Sequence, residues 1–149
     1  MSAPGAATIH ATALKLGATG VLIRGPSGSG KSSLALSLLD AGGDTARLIA
    51  DDRVELIEVD GAVLAAVPPP LAGKIELRGQ GPITVPHVSP ARLHLVVDLL
   101  PVEECPRYAP PNEEWTRLGG CRLPWLRLPV GLHDGPMRVR FAVAGLPND

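Results

Sequence analysis

One segment of the chain matches every fixed position of the phosphate-binding pattern G-x-x-x-x-G-K-[ST], with the sequence Gly25-Pro26-Ser27-Gly28-Ser29-Gly30-Lys31-Ser32. Glycines in such a loop let consecutive backbone N–H groups converge on phosphate oxygens, and the helix that follows points its positive end at the same anion. Lys31 would reach the β- and γ-phosphates, and the Ser32 hydroxyl would bind Mg²⁺. The pattern therefore requires a strand before the loop and a helix after it.

The flanks of this phosphate loop meet that requirement. Residues 20–24 form an apolar run that predicts a buried strand, and residues 33–39 have the spacing of a helix. Gly42-Gly43 would end this helix. A glycine-rich turn that contains Lys-Ser by chance rarely has both flanks correct. The order of strand, glycine loop and helix predicts a site for ATP or GTP.

The composition indicates one domain and excludes several classes of protein. With 149 residues, of which 45% are hydrophobic, the chain suits a single compact domain. Its net charge of −1 gives no general attraction to nucleic acid or to anionic membranes. No apolar run approaches the ~20 residues of a membrane span and the N-terminus lacks a signal-peptide pattern, so we expect a cytoplasmic protein. Cys105 and Cys121 have no metal-ligand spacing, and we expect both to be reduced and either structural or incidental.

The remaining pattern predicts a strand-rich α/β fold with a mixed sheet and few helices. Further strands are indicated at residues 8–14, 47–50, 54–59, 62–66, 94–100 and 137–143. Asp60-Gly61 suits a two-residue turn, so the strands on either side of it should form an antiparallel hairpin. The nearly continuous apolar run at 94–100 is typical of a central strand. In residues 137–143 two arginines alternate with apolar residues, which is typical of a strand with one solvated face.

Carboxylates are needed for the metal and the nucleophile in phosphoryl transfer, and two positions qualify. Asp51-Asp52 directly follow a short strand, at the edge where open α/β sheets bind ligands. Neighbouring residues of an extended chain point in opposite directions, so only one of the pair should face the phosphates. Asp98 resembles the aspartate that holds Mg²⁺ in many P-loop proteins, although a lone strand-end aspartate is often a turn former. Asp98 as the metal carboxylate would indicate another P-loop class, such as a small-molecule kinase.

Four segments, in this order, resemble the catalytic domain of bacterial HPr kinase/phosphorylase: the phosphate loop and residues 50–55, 75–81 and 117–119. The resemblance runs from His10 to Val143, and the Glu-x-Arg-Gly-x-Gly segment at 76–81 makes it far more specific than a phosphate loop alone. It implies a fold related to phosphoenolpyruvate carboxykinase, with a mixed sheet. It also implies an ATP- and Mg²⁺-dependent kinase that phosphorylates a serine of HPr, the phosphocarrier of the sugar phosphotransferase system, with phosphate-dependent removal as a second activity.

The resemblance assigns roles to residues of and near the phosphate loop. Residues 25–32 would bind the phosphates, and Lys31 would neutralise the phosphoryl group in transfer. Ser32 together with Glu76 would hold Mg²⁺. By periodicity alone, Glu76 is only a polar residue on a strand with one solvated face.

Four further residues receive catalytic roles from the resemblance. Asp52 would be the general base that takes the proton of the serine hydroxyl, and Asp51 would lie beside it as a partner of metal or water. His10 matches the histidine that the family places ahead of the phosphate loop, and Arg117 matches its arginine near the phosphates. Without the resemblance, a lone histidine is more often a solvated residue, and Arg117 would be a surface arginine.

Departures from the family pattern lead to further expectations. The chain begins shortly before His10, so we expect one catalytic domain over residues 1–149, without the N-terminal domain of longer members. The helical tail after the last strand of longer members should also be missing, since the chain ends at residues 145–149. The loop at 128–133 lacks the arginines that the family uses for phosphorolysis. This favours the kinase reaction over its reverse.

The expected partner is HPr or an HPr-like carrier, and the resemblance implies a homo-oligomer, specifically a hexamer. Neither nucleic acid nor a membrane is an expected partner. An alternative is a nucleotide-binding regulator that has lost catalysis and contacts a partner such as a sensor kinase. This alternative predicts ATP binding without turnover.

Overall fold

The computed structural model describes residues 7–147, and their regular structure comprises twelve strands and two α-helices, besides three short 3₁₀ turns. In chain order the elements are β1 (Ala7–Ile9), β2 (Thr12–Leu16), β3 (Thr19–Arg24), α1 (Lys31–Gly42), β4 (Ala46–Ala50), β5 (Val54–Val59), β6 (Ala62–Ala66), β7 (Lys74–Leu77), β8 (Gly81–Thr84), β9 (Ala91–Arg92), β10 (Leu95–Leu100), β11 (Trp115–Leu118), β12 (Cys121–Pro129) and α2 (Gly135–Ala144). Neither of these two helices is long and apolar enough to cross a membrane.

A six-stranded mixed sheet forms the centre of the fold. Its strand order is β11-β12-β10-β3-β2-β4, in which β10 is parallel to β3 and β12 and the other neighbours are antiparallel. Successive residues of β3 are buried on opposite faces: Val21 and Ile23 pack with α1, whereas Leu22 belongs to the cluster on the other side. Burial on both faces explains the continuous apolar runs of β3 and β10. The expected mixed-sheet α/β fold is confirmed.

A four-stranded antiparallel sheet, β1-β5-β6-β9, packs on the face of the central sheet that lies away from α1. Its Val54 and Val63 share a buried cluster with Leu22. The turn between β5 and β6 is Asp60-Gly61, with φ angles of 49° and 79°. These positive angles are those of a two-residue hairpin turn, so the predicted antiparallel hairpin is confirmed.

The strand expected at residues 8–14 is in fact two strands. β1 pairs with β5 in the four-stranded sheet, and β2 pairs with β3 and β4 in the central sheet. The chain therefore crosses from one sheet to the other at His10 and Ala11. Ala11 is completely buried between the sheets, whereas His10 is exposed. The crossing thus presents the histidine at the surface, next to the start of β2.

Residues 137–143 are helical, so the expectation of a strand there is wrong. They belong to α2, which has Pro136 in its first turn, where the fixed φ of proline favours a helix start. The pattern also fits a helix, because Val139 is fully buried and Val143, four residues later, packs on the same cluster. In the described part of the chain, the last strand, β12, is therefore followed by a helix.

Candidate active site

The phosphate loop joins β3 to α1 and depends on glycines with left-handed backbone angles. Gly28 has a φ of 80° and Gly30 a φ of 97°. Gly30 is the N-cap of α1, and among the described residues no side chain caps this helix and no acidic residue lies in its first turn. The backbone N–H groups at this end of α1 are therefore available to an anion.

Lys31 is the first residue of α1, and its side chain folds back over the loop. Its Nζ donates to the carbonyl oxygens of Gly25, at 2.8 Å, and of Pro26, at 3.2 Å. Only 7% of the residue is exposed, and this burial lowers the pKa of Lys31, while the negative charges of Asp52 and Asp51 act in the opposite direction. The ammonium group therefore lies within the field of both carboxylates.

Asp51 follows β4 and is held by three donors. Its Oδ1 accepts hydrogen bonds from the hydroxyls of Thr12, at 2.9 Å, and Ser32, at 2.8 Å. Its Oδ2 accepts a longer bond of 3.4 Å from the backbone N–H of Glu76. Because Thr12 is completely buried and Asp51 is 9% exposed, these bonds fix the carboxylate directly beside the serine of the phosphate loop.

Asp52 has a different environment from its neighbour. Its φ is 69°, and its side chain is 76% exposed, with Oδ1 2.7 Å from Nε2 of His10. The expectation that only one of the two aspartates faces the phosphates assumed an extended chain, which the structure does not have at this point. The left-handed angle turns the chain at Asp52, so both carboxylates line the same cleft.

This cleft has a volume of about 290 Å³ and adjoins the phosphate loop. Its lining residues are His10, Thr12, Ser27, Gly28, Gly30, Lys31, Ser32, Ser33, Asp51, Asp52, Glu76 and Arg78. The candidates His10, Lys31, Ser32, Asp51, Asp52 and Glu76 thus meet in one place, whereas neither Arg117 nor Asp98 lines the cleft. Thr12 and Arg78 are additional members, and the hydrogen bond between Thr12 and Asp51 links residues that are far apart in the chain and share no local pattern.

Arg117 lies on β11 and lines a different cavity, of about 580 Å³, between this strand and the four-stranded sheet. The neighbours of Arg117 in that cavity include Arg24 and Glu58. The structure therefore does not bring Arg117 to the cleft of the phosphate loop, and its role near the phosphates stays a prediction.

Asp98 lies on β10, and its carboxylate is engaged by two other side chains. Arg24 donates from Nε to Oδ1 at 2.8 Å and from Nη2 to Oδ2 at 2.6 Å, and Trp125 donates from Nε1 to Oδ2 at 2.6 Å. The parallel pairing of β3 with β10 places Asp98 opposite Arg24. Both oxygens are thus used within the sheet, which is the pattern of a structural ion pair rather than of a metal ligand.

The oxygen atoms in the cleft fit Mg²⁺ better than a metal that needs a protein cage. No group of three or more His, Cys, Asp or Glu side chains within residues 7–147 has the arrangement of a metal site. Mg²⁺ needs none, because proteins usually hold it by one or two carboxylates together with waters and substrate phosphates. Ser32, Asp51 and Glu76 supply such oxygens beside the loop.

Comparisons with known proteins point to one family. A model described as the HPr Serine kinase C-terminal domain matches residues 3–131. HPr kinase/phosphorylase of Clostridium tetani (strain Massachusetts / E88) is 40% identical over 78 residues, which are 52% of this chain and 25% of the relative. HPr kinase/phosphorylase of Xylella fastidiosa (strain M12) is 42% identical over 83 residues, 55% of this chain and 25% of the relative. The matches thus span about a quarter of these curated relatives.

A solved structure gives a more extensive match. It is described as the structure of the Hpr(Ser) kinase/phosphatase from Coxiella burnetii, and it aligns with a TM-score of 0.80 and 29% sequence identity. The alignment covers 93% of this chain and 94% of that chain. The strand-rich fold around the phosphate loop is therefore common to both proteins.

Proposed function

The chain belongs to the family of HPr serine kinase C-terminal domains, and from this membership we propose that it phosphorylates a serine of HPr, or of an HPr-like phosphocarrier protein, with ATP. The observation that carries the proposal is the single cleft in which the phosphate loop meets the His10–Asp52 pair. Such a cleft can hold a nucleoside triphosphate and a proton acceptor side by side. The relatives named for this activity support the substrate class.

Asp52 is the general base in this proposal. The serine hydroxyl loses its proton as its oxygen bonds to the γ-phosphorus, and a carboxylate within hydrogen-bond reach can accept that proton. The exposure of Asp52 lets a protein substrate reach it, and its hydrogen bond to His10 orients the carboxylate. Lys31 exchanges its two carbonyl partners for phosphate oxygens and stabilises the negative charge of the transferring group.

Ser32 and Glu76 would hold Mg²⁺ in this scheme, and Asp51 positions the Ser32 hydroxyl through their 2.8 Å hydrogen bond. The bound ion would supply a positive charge that offsets the negative charge developing on the phosphate oxygens. Glu76 lies on β7, whose backbone also contacts Asp51. The placement of the Asp51 carboxylate therefore depends in part on the strand that carries Glu76.

We extend the proposal to the removal of the phosphoryl group in the same cleft, in which an oxygen of inorganic phosphate bonds to the phosphorus as the serine O–P bond breaks, so that pyrophosphate leaves and Asp52 returns the proton to the serine oxygen. Because the loop at 128–133 contains no arginine, we expect this reverse reaction to be the slower of the two. The single catalytic domain over 1–149, the hexamer and the contact with a sensor kinase remain predictions. The small-molecule kinase alternative loses its basis, since Arg24 and Trp125 already bind the Asp98 carboxylate.

The test is incubation of the chain with HPr, Mg²⁺ and γ-labelled ATP, followed by identification of phosphoserine. We expect Lys31→Ala and Asp52→Asn to reduce the rate by ~100-fold or more. Asp60→Asn is a matched control, because Asp60 is also an exposed aspartate with a positive φ. Asp60 does not line the cleft of the phosphate loop. Absence of serine phosphorylation, or a Lys31→Ala rate equal to that of the parent, would refute the proposal. ATP binding without turnover would favour the alternative of a nucleotide-binding regulator that has lost catalysis.

A further inference from the structure

A second cavity, of about 230 Å³, adjoins the phosphate loop. Gly30 and Ser33 line both this cavity and the cleft described above, so the two spaces meet at the start of α1. The second cavity continues along α1 to Ser37 and is bordered by the ends of β10 and β12 and by the loop that leads to α2. None of the acidic residues that line the first cleft lines the second.

The direction of a bound nucleotide follows from the loop itself. A phosphate loop of this type holds the α- and β-phosphates on its backbone, and its lysine reaches the β- and γ-phosphates. Asp52 and Glu76 line the first cleft and not the second cavity, so the γ-phosphate belongs in the first cleft. The nucleoside is attached at the opposite end of the triphosphate, and it must leave the loop on another side. The second cavity is contiguous with the loop and has room for it.

We propose that this second cavity binds the ribose and base of the nucleoside triphosphate. The inference rests on the proposed function, because it takes the first cleft as the site of the γ-phosphate. The walls of the second cavity suit the faces of a planar base, because much of its lining is apolar. The apolar side chains include those of Leu34, Leu99, Leu128 and Leu132. The cavity and the cleft together then form one elongated site for the whole nucleotide.

Ser29 provides a second, independent observation. This residue of the phosphate loop is 5% exposed and lines the second cavity, and its Oγ has no hydrogen-bond partner among the described residues. Buried hydroxyls are usually paired, so an unused donor and acceptor at this position indicates a polar group of a ligand. A ribose or phosphate oxygen at the junction of loop and cavity is such a group.

The lining also predicts weak discrimination between bases. A site rejects the wrong base strongly only when it has fixed polar groups that would be left unpaired. The side chains that line this cavity include no carboxylate for the N–H groups of guanine, and its polar side chains are three serine hydroxyls and His133. Hydroxyls rotate and can donate or accept. We therefore expect ATP and GTP to bind with dissociation constants within about tenfold of each other.

The test compares binding of ATP, GTP and inorganic tripolyphosphate, each with Mg²⁺, by titration calorimetry. The variant is Ser37→Trp, because Ser37 is exposed on α1 and an indole there would occupy the cavity. The control is Asp44→Trp, another exposed position, beyond the end of α1, that lines neither space. Ser37→Trp should raise the dissociation constant of ATP at least about tenfold, because the nucleoside loses its contacts. The dissociation constant of tripolyphosphate, which has no nucleoside, should stay within about twofold of its value for the parent. Asp44→Trp should change neither.

Two results would overturn the inference while leaving the phosphate site intact. One is an ATP affinity that Ser37→Trp does not alter. The other result needs no variant. If the parent binds ATP no more tightly than tripolyphosphate, the nucleoside contributes nothing to binding. A parent that binds neither ligand would instead refute the proposed function, and this inference would fall with it. Thermal unfolding of both variants checks that the fold is unchanged.

Discussion

Thr12→Val should loosen the candidate site without changing the shape of the core. Thr12 is completely buried in β2, and its hydroxyl donates to Asp51 Oδ1 at 2.9 Å. Valine has nearly the same volume, so the substitution removes the hydroxyl and leaves no cavity. What remains is a carboxylate that has lost one of its three donors while its surroundings exclude most water.

The size of the effect follows from these contacts. A hydrogen bond to a charged group contributes about 1.5–3 kcal/mol to stability. In the variant, Asp51 keeps its hydrogen bond from the Ser32 hydroxyl, and it borders an open cleft from which water can replace part of the lost bond. We therefore expect Thr12→Val to lower the free energy of unfolding by about 1.5–2 kcal/mol. For a chain of this length that corresponds to a fall in melting temperature of about 3–8 °C.

The assay is urea or thermal unfolding of Thr12→Val beside Thr84→Val, an exposed threonine of β8 that serves as the control. The free energy of unfolding of the control should stay within about 0.5 kcal/mol of that of the parent. In an Asp51→Asn background the cost of Thr12→Val should fall by at least about 1 kcal/mol, because the charged acceptor is gone. If Thr12→Val is as stable as Thr84→Val, Thr12 does not hold the carboxylate and the reasoning fails.

Three further predictions concern the surroundings of the site. Arg24→Ala should lower the free energy of unfolding by about 2–3 kcal/mol in urea titrations, because the buried Asp98 loses two hydrogen bonds. The partial exposure of Arg24 keeps the effect within this range. Adding Asp98→Asn should restore part of the lost free energy, because the unpaired charge is then removed. Gly20→Ala should cost about 3 kcal/mol or more in the same measurement, because its Cβ would lie 1.9 Å from the carbonyl oxygen of Arg92. Burial lowers the pKa of Lys31, so the folded state carries a cost of charging it at neutral pH that disappears as the pH rises toward 10.5. The stability of the parent relative to Lys31→Met should therefore increase between neutral and alkaline pH, and a flat difference would contradict this assignment.

The features predicted correctly from the sequence are those with local causes. The strand, loop and helix around Lys31 follow from an apolar run, glycines and helical spacing within a short segment. The hairpin at Asp60-Gly61 depends on two residues that tolerate positive φ. Such features need no knowledge of the rest of the chain, and the structure reproduces them.

The features that the sequence did not reveal depend on distant parts of the chain or on an ambiguous period. The alternation at residues 137–143 fits a strand, yet Val139 and Val143 also share one side of a helix, and packing against α1 decides between the two. The engagement of Asp98 by Arg24 depends on the parallel register of β3 and β10, which no local pattern specifies. The separation of β1 from β2 likewise depends on which sheet each strand joins.

The contrast between Asp51 and Asp52 depends on one backbone angle. At a φ of 69° the chain turns, and the N–H of Arg53 donates to the carbonyl oxygen of Asp51 at 2.8 Å. Asp51 is thereby held inside against Thr12, while Asp52 is presented to His10 at the surface. Aspartate and asparagine adopt left-handed angles several times more readily than most residues, and β-branched residues resist them. Asp52→Asn therefore removes the proposed base and keeps the turn, whereas Asp52→Val would also displace Asp51, so only the first substitution separates the chemistry from the fold.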